Sequence, residues 1–217
     1  MNKKLLVLAL TTAVIIPGYA QDAKTKAGKV ESVGDQMYFE VSLEDFETTP
    51  YTNKNMAYRV TTYQKGSLAI RDQYPAPTGK SKKYLGVKVF GKYGDVFTIR
   101  PSKEIIINKY CKTIAFWVYG KKFSGELSII LQDAAKTNHR MVLGSLDFLG
   151  WRKLVIKIDG KINQEDEFLN QKRFLKIMQI QYRPKNRERL PRWQYFYIDD
   201  INAMVREKYT DRQSDDW

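Results

Sequence analysis

An antiparallel β-sandwich is the fold class this sequence predicts, and three observations predict it. Between Thr113 and Asp159 the chain reads TIAFWVYG, ELSIILQD, MVLGSLDFLGW and RKLVIKID, short β-branched and aromatic runs that end at Gly, Asp, Asn or Lys. In the last run Leu154, Ile156 and Ile158 fall on one side of an extended chain and Lys153 and Lys157 on the other, a period of two that a helix does not keep. Trp117 and Trp151 bracket the block and offer large apolar areas, so one or other is expected in the core with Phe116, Leu154, Ile156 and Ile158.

Taken in order, the chain opens on a segment that reads as a secretory signal peptide, residues 1–20. Lys3 and Lys4 precede an apolar run from Leu5 to Ile16, and Gly18-Tyr19-Ala20 supplies small residues for cleavage near Ala20. The run is too short to span a membrane comfortably. Residues 21–36 are polar and Lys-rich, as in a flexible lead. The sandwich is expected over 37–205. Its first strand is Met37–Phe46, and further strand material lies at Tyr58–Tyr63 and Ser67–Ile70. Tyr84–Phe90 and Val96–Arg100 read as a hairpin turning through Gly91-Lys92-Tyr93-Gly94. Ile105-Ile106-Ile107 leads into the central block. After it, Glu165–Arg173 is the one candidate short helix, with Phe168, Leu169 and Lys172 at helical spacing. Leu175–Arg183 and Tyr195–Val205 complete the strands, and 206–217 is a charged tail.

The formal charge is +13, of which the leader supplies two lysines. A basic exported protein can meet anionic lipid, an acidic glycan or an acidic protein; export argues against nucleic acid. Cys111 is the single cysteine, so no internal disulfide staples the fold, and it reads as a small buried hydrophobe at a strand entry. The one histidine, His139, sits in a solvated turn composition and reads as incidental. There is no Gly-rich phosphate loop, zinc-ligand spacing or nucleophile elbow, so neither an enzyme nor a cofactor is expected. Glu44-Asp45 and Asp199-Asp200 are the only paired acids near strands. They read as solvated or strand-end residues; the competing reading has Asp45, Glu47 and Asp199 converging as oxygen ligands for a structural Ca²⁺, with Asp200 beside them.

Two features suit a binding protein. The stretch Arg183–Arg192 holds Arg183, Lys185, Arg187, Arg189 and Arg192 against one acid and is followed by Trp193, a combination of Arg forks and an aromatic anchor that fits an acidic or glycosylated partner. The plain reading is a solvated hairpin tip. The 14 tyrosines also supply amphipathic surface for neighbours or sugars.

An ordered series of segments then points to a family: FWVYG at 116–120, LSIILQD at 127–133, LGSLDFLGWRKLVIKI at 143–158, FLKIMQIQYRPKNRE at 174–188 and YFYIDDINAMVREKYTD at 195–211, with an echo in LEDFET at 43–48. In these segments the chain resembles the spirochaete flagellar filament outer-layer proteins, which form the sheath around the flagellin core of periplasmic flagella. The resemblance implies a periplasmic structural subunit whose partners are flagellin core subunits and other sheath proteins. The chain departs from the larger sheath proteins in its length and in carrying Asp199-Asp200, which implies a minor or divergent subunit. Carbohydrate-binding jelly rolls share a similar D…GW…DD(I) pattern, so a jelly-roll sandwich is the implied fold. An exported carbohydrate-binding module with a glycan contact is the alternative function.

Overall fold

The computed structural model describes residues 37–61, 63–166, 170–185 and 189–209. The strands are β1 (Phe39–Glu44), β2 (Met56–Arg59), β3 (Lys65–Arg71), β4 (Tyr84–Gly91), β5 (Val96–Ile99), β6 (Ile105–Ile107), β7 (Tyr110–Lys121), β8 (Gly125–Gln132), β9 (Asn138–Ser145), β10 (Leu149–Lys157), β11 (Leu175–Pro184) and β12 (Arg192–Arg206). A front sheet runs β10-β7-β12-β4-β3, with β1 on the far half of β12; a back sheet runs β2-β5-β11-β8-β9, with β6 on β11. Every pairing is antiparallel. The protein is therefore an all-β antiparallel jelly-roll sandwich.

The core lies between the sheets and follows from alternation along each strand. Leu85, Val87 and Val89, Ile114, Phe116 and Val118, and Phe196 and Ile198 point inward from the front sheet; Phe97, Ile99, Leu127, Ile129, Leu131, Ile177 and Ile180 meet them from the back. Tyr182 of β11 stacks against Phe196 of β12 with ring centroids 4.7 Å apart. Its hydroxyl donates to the Gln194 side-chain carbonyl, and Gln194 Nε2 donates to the Gly91 carbonyl at 3.0 Å. Both Tyr182 and Gln194 are fully buried, so this polar bridge between the sheets is satisfied rather than stranded. Gly125 makes room for it, because a Cβ there would lie 2.1 Å from the Tyr182 ring.

Phe116, Ile156 and Ile158 are buried as expected, and Leu154 packs against them. The two tryptophans are not core. Phe116 and Val118 point inward, so Trp117 between them points outward, and Trp151 pairs with outward-facing Tyr119. The expected 84–100 hairpin is a crossing between sheets: β4 pairs β3 and β12, whereas β5 pairs β2 and β11. Gly94 does take the positive φ (94°) that its turn needs. Asp95 ties the crossing down, accepting from the Lys92 and Thr61 amides at 2.9 Å each. The expected helix at 165–173 does not form in the described part of that segment; residues 167–169 lie outside the described residues. Instead Gln164 braces the entry of β7, its Oε1 accepting from the Cys111 amide at 2.8 Å and its Nε2 donating to the Cys111 carbonyl at 3.0 Å. Cys111 is buried, which pushes its thiol up to about 12. His139 is not incidental. It lies in β9 and meets Asp133 at 2.8 Å, while Asp133 also accepts from the Thr137 amide at 2.8 Å, closing the β8–β9 turn. The leader, the lead at 21–36 and most of the tail (210–217) lie outside the described residues.

Phe116→Ala is expected to cost about 3–5 kcal/mol, as for other large-to-small core changes, and Trp117→Ala much less. Chemical denaturation of both variants checks this; equal losses would place Trp117 in the core after all.

Candidate functional site

β12 carries the site, because its period of two sorts its residues cleanly. Gln194, Phe196 and Ile198 are buried, while Trp193, Tyr195 and Tyr197 point out from the front sheet. At Asp200 (φ 37°) the strand bulges: Asp199 pairs with Trp117 but Ile201 pairs with Phe116. The inserted residue reverses the phase, so that Ile201, Ala203 and Val205 point inward beyond it.

Neighbouring strands bring more rings to the same face. Tyr197 lies opposite Tyr119 of β7, and Tyr119 opposite Trp151 of β10. Tyr84 of β4 closes a ring of four, edge-on to Trp151 (5.6 Å, 84°) and to Tyr197 (5.4 Å, 87°); Tyr119 meets Trp151 at 5.5 Å and Tyr197 at 5.7 Å. Edge-to-face geometry of this kind is the favoured one for ring pairs. A cleft of about 380 Å³ opens over them, and its charged lining is Arg71 and Lys121, with no acid. Lys121 Nζ lies 5.4 Å from the Tyr197 ring centre and 5.7 Å from that of Tyr195, within cation–π range. Further along β12, Lys88 stands 4.3 Å over Trp193, whose ring packs at 5.3 Å on Phe90.

The wall of the cleft is a loop between β3 and β4. Tyr74 from this loop is almost wholly exposed (88%) and accepts from Trp151 Nε1 at 3.1 Å through its carbonyl. Asp199 anchors the loop: its Oδ2 accepts from the Ser81 hydroxyl at 2.8 Å and the Ala76 amide at 3.1 Å. Burial pushes the Asp199 carboxyl up to about 6 despite those two bonds. Glu47 holds the same loop, accepting from the Lys82 and Lys83 amides. Glu44 is buried at the end of β1, where it accepts from the Phe46 amide and the Tyr51 hydroxyl. The acids considered as Ca²⁺ ligands thus have other partners, Asp45 accepting from the Glu47 amide at 3.1 Å. Asp45, Glu47 and Asp200 do line one pocket, but among the described residues no three His, Cys, Asp or Glu are grouped to hold a metal.

The basic stretch does not make one patch. β11 belongs to the back sheet and β12 to the front, so the connection between them crosses the sandwich. Arg183 and Lys185 fall on the back face, where they line a cleft with Glu126 and Arg140. Arg192 and Trp193 fall on the front, Arg192 stacking over Phe123 at 5.2 Å. Arg189 is exposed between them, and Arg187 lies outside the described residues. Sequence reasoning missed Tyr84, Tyr119 and Trp151 as one site, since each belongs to a different strand. The outward triplet Trp193, Tyr195 and Tyr197 was the available signal.

The class is an all-β sandwich with an aromatic cleft on one sheet and a basic cleft on the other. The family of flagellar filament outer layer proteins (FlaA) matches residues 52–213, and the chain belongs to it. A flagellar filament outer layer-like protein of Brachyspira hyodysenteriae (strain ATCC 49526 / WA1) is 28% identical over 185 residues, covering 80% of this chain and 82% of that protein. Among solved structures, a family 11 carbohydrate-binding module from Clostridium thermocellum in complex with a mixed-linked tetrasaccharide aligns with a TM-score of 0.46 and 14% identity, over 78% of this chain and 98% of that one. Another carbohydrate-binding module of the β-sandwich superfamily aligns with a TM-score of 0.48 and 12% identity, over 74% of this chain and 60% of that one. Among the described residues no helix is long and apolar enough to cross a membrane.

Asp199 sets a pH dependence of known sign. Its folded pKa lies above the unfolded value of 3.8, so the stability it contributes is full below about pH 4 and is lost as pH rises through about 6. The melting temperature of Asp199→Asn relative to the native chain is therefore expected to rise across that window and level off above it. A difference that does not change with pH would show that Asp199 titrates normally.

Proposed function

We propose that this protein is a sheath subunit of the periplasmic flagellar filament, exported by the leader at 1–20 and coating the flagellin core alongside other sheath proteins. The observation that carries this reading is the family match across residues 52–213. The geometry supports it, because a coat subunit must touch both the core and its neighbours, and a rigid sandwich with distinct surfaces on its two sheets can do so. Each contact can be weak, since a subunit in a lattice is held by several at once. Arg183 and Lys185 on the back face, Arg192 and Trp193 on the front and the exposed Arg189 are the contact residues, with Arg187, which lies outside the described residues, as a further candidate.

Cells lacking the gene are expected to keep flagellin filaments that are thinner or altered in curvature, and to move poorly. Filaments of unchanged diameter, shape and composition would end the reading. In purified filaments, Arg189→Glu with Arg192→Glu is expected to release the protein at a salt concentration that retains the native chain. Charge contacts weaken as the screening length falls to about 3 Å at 1 M. Sedimentation of filaments over a salt series measures this, and circular dichroism of the released variant checks that it stays folded.

A second reading, an exported carbohydrate-binding module, is favoured by one observation: the half-buried ring cluster Tyr119, Trp151 and Tyr197 in an acid-free cleft. Sugar faces stack on such rings, and Arg71, Gln73 and Lys121 offer donors at the rim. Saccharide binding lost in Tyr119→Ala, by a protein that does not sediment with filaments, would put this reading first.

A further inference from the structure

On the back sheet Arg59, Arg140, Arg183 and Lys185 gather around two carboxylates, Glu126 and Asp95. The register places Arg59 opposite Val96 and Arg183 opposite Glu126, with Tyr182 opposite Phe97, so Arg59, Val96, Arg183 and Glu126 form one row across β2, β5, β11 and β8. Directly facing Arg and Glu normally pair. Here Glu126 is taken by others. Lys185 Nζ binds its Oε2 at 2.7 Å, and Arg140, which stands opposite Ile130, reaches along the face to its Oε1. Among the described residues Arg183 has one bond, from Nη2 to Gln181 Oε1 at 3.2 Å, while its Nε is buried with no hydrogen-bond partner. The other acid of the cleft, Asp95, is buried and engaged by the Thr61 and Lys92 amides. These residues line a cavity of about 320 Å³ on the outer face.

We propose that Arg59, Arg140 and Arg183 form a carboxylate-binding pocket on the back sheet, which takes an acidic side chain from a neighbouring protein subunit. It rests on the sheath reading only for the identity of that neighbour. The cluster already shows the chemistry it would use: one carboxylate, Glu126, holds Arg140 and Lys185 together. The planar forks of Arg59 and Arg183 remain for a second, and guanidinium binds carboxylate in a bidentate manner that ammonium does not. Burial and the neighbouring Arg140 and Arg59 charges lower the Arg183 pKa, so an incoming anion would relieve a repulsion that now stands. Without an anion Arg183 faces the Arg59 and Arg140 charges with only Glu126, already shared with Arg140 and Lys185, to offset them.

The test uses the full exported chain and a labelled peptide bearing a run of glutamates, with the matching glutamine peptide as control, at low salt. The glutamate peptide is expected to bind saturably and the glutamine peptide not at all. Arg59→Gln and Arg183→Gln are each expected to weaken it by about tenfold, the scale of a charge-assisted hydrogen bond. Arg59 is exposed, so its variant keeps the fold and remains informative even where Arg183→Gln does not. Equal binding of the two peptides, or full binding by Arg59→Gln, would overturn the pocket, as would binding of glucuronate but not of the peptide. Filament sedimentation separates this from the sheath reading. Arg-dependent peptide binding by a protein that ignores filaments leaves the pocket standing and removes the sheath role; filament binding with no Arg-dependent peptide binding does the reverse.

Discussion

Along β12 the chain alternates sides from Trp193 to Ile198, inserts one residue at Asp200, and resumes with the opposite parity to Val205. β7, β4 and β1 all pair with this strand, so its phase decides which of their residues face the core. Without the bulge, Ile201, Ala203 and Val205 would turn toward solvent and β1 would have no apolar face to join. The bulge also turns Asp199 beneath the β3–β4 loop, where it becomes the anchor for one wall of the aromatic cleft. Core, cleft and loop thus depend on one inserted residue, and Asp is among the few side chains that accept its positive φ cheaply.

Most of the strands were legible in the sequence because half-buried strands must alternate, and RKLVIKID and ELSIILQD can do little else; the second becomes β8 with Leu127, Ile129 and Leu131 inward. What was not legible was which sheet each strand joins. The turn after β4 carries the glycine of a hairpin, yet β5 crosses to the other sheet, a choice made by burial of Phe97 and Ile99 against partners far along the chain. The tryptophans were misread for a related reason. Size argues for the core, but parity overrides size when Phe116 and Val118 already hold the inward positions. The helical spacing expected at 165–173 is short for a helix without tertiary support, and its described residues, 165–166 and 170–173, are not helical.

The site was less legible than the fold. Basic residues close in sequence, from Arg183 to Arg192, fall on opposite faces, and Arg59, Arg140 and Arg183 stand together although they are far apart in the chain. The acids read as solvated or strand-end residues, with a metal site as the competing reading, whereas Glu44 and Asp199 are buried and Asp199 and Glu47 fasten a loop. In each case the sequence supplied the residue types, and the crossing of the chain between sheets determined which of them meet.

The bridge between Tyr182 and Gln194 carries a mechanical implication. Apolar packing alone lets two sheets slide over one another at little cost, because dispersion contacts are lost and regained as they move. A buried hydrogen bond has direction, and breaking it strands polar atoms away from water. With Gly91 accepting from the other end of Gln194, the latch joins β11, β12 and β4. Sliding of the aromatic face over the basic face is therefore opposed by a directional bond as well as by packing. In the proposed sheath such a bond would favour pivoting at the joints between subunits over sliding of the layers within each one.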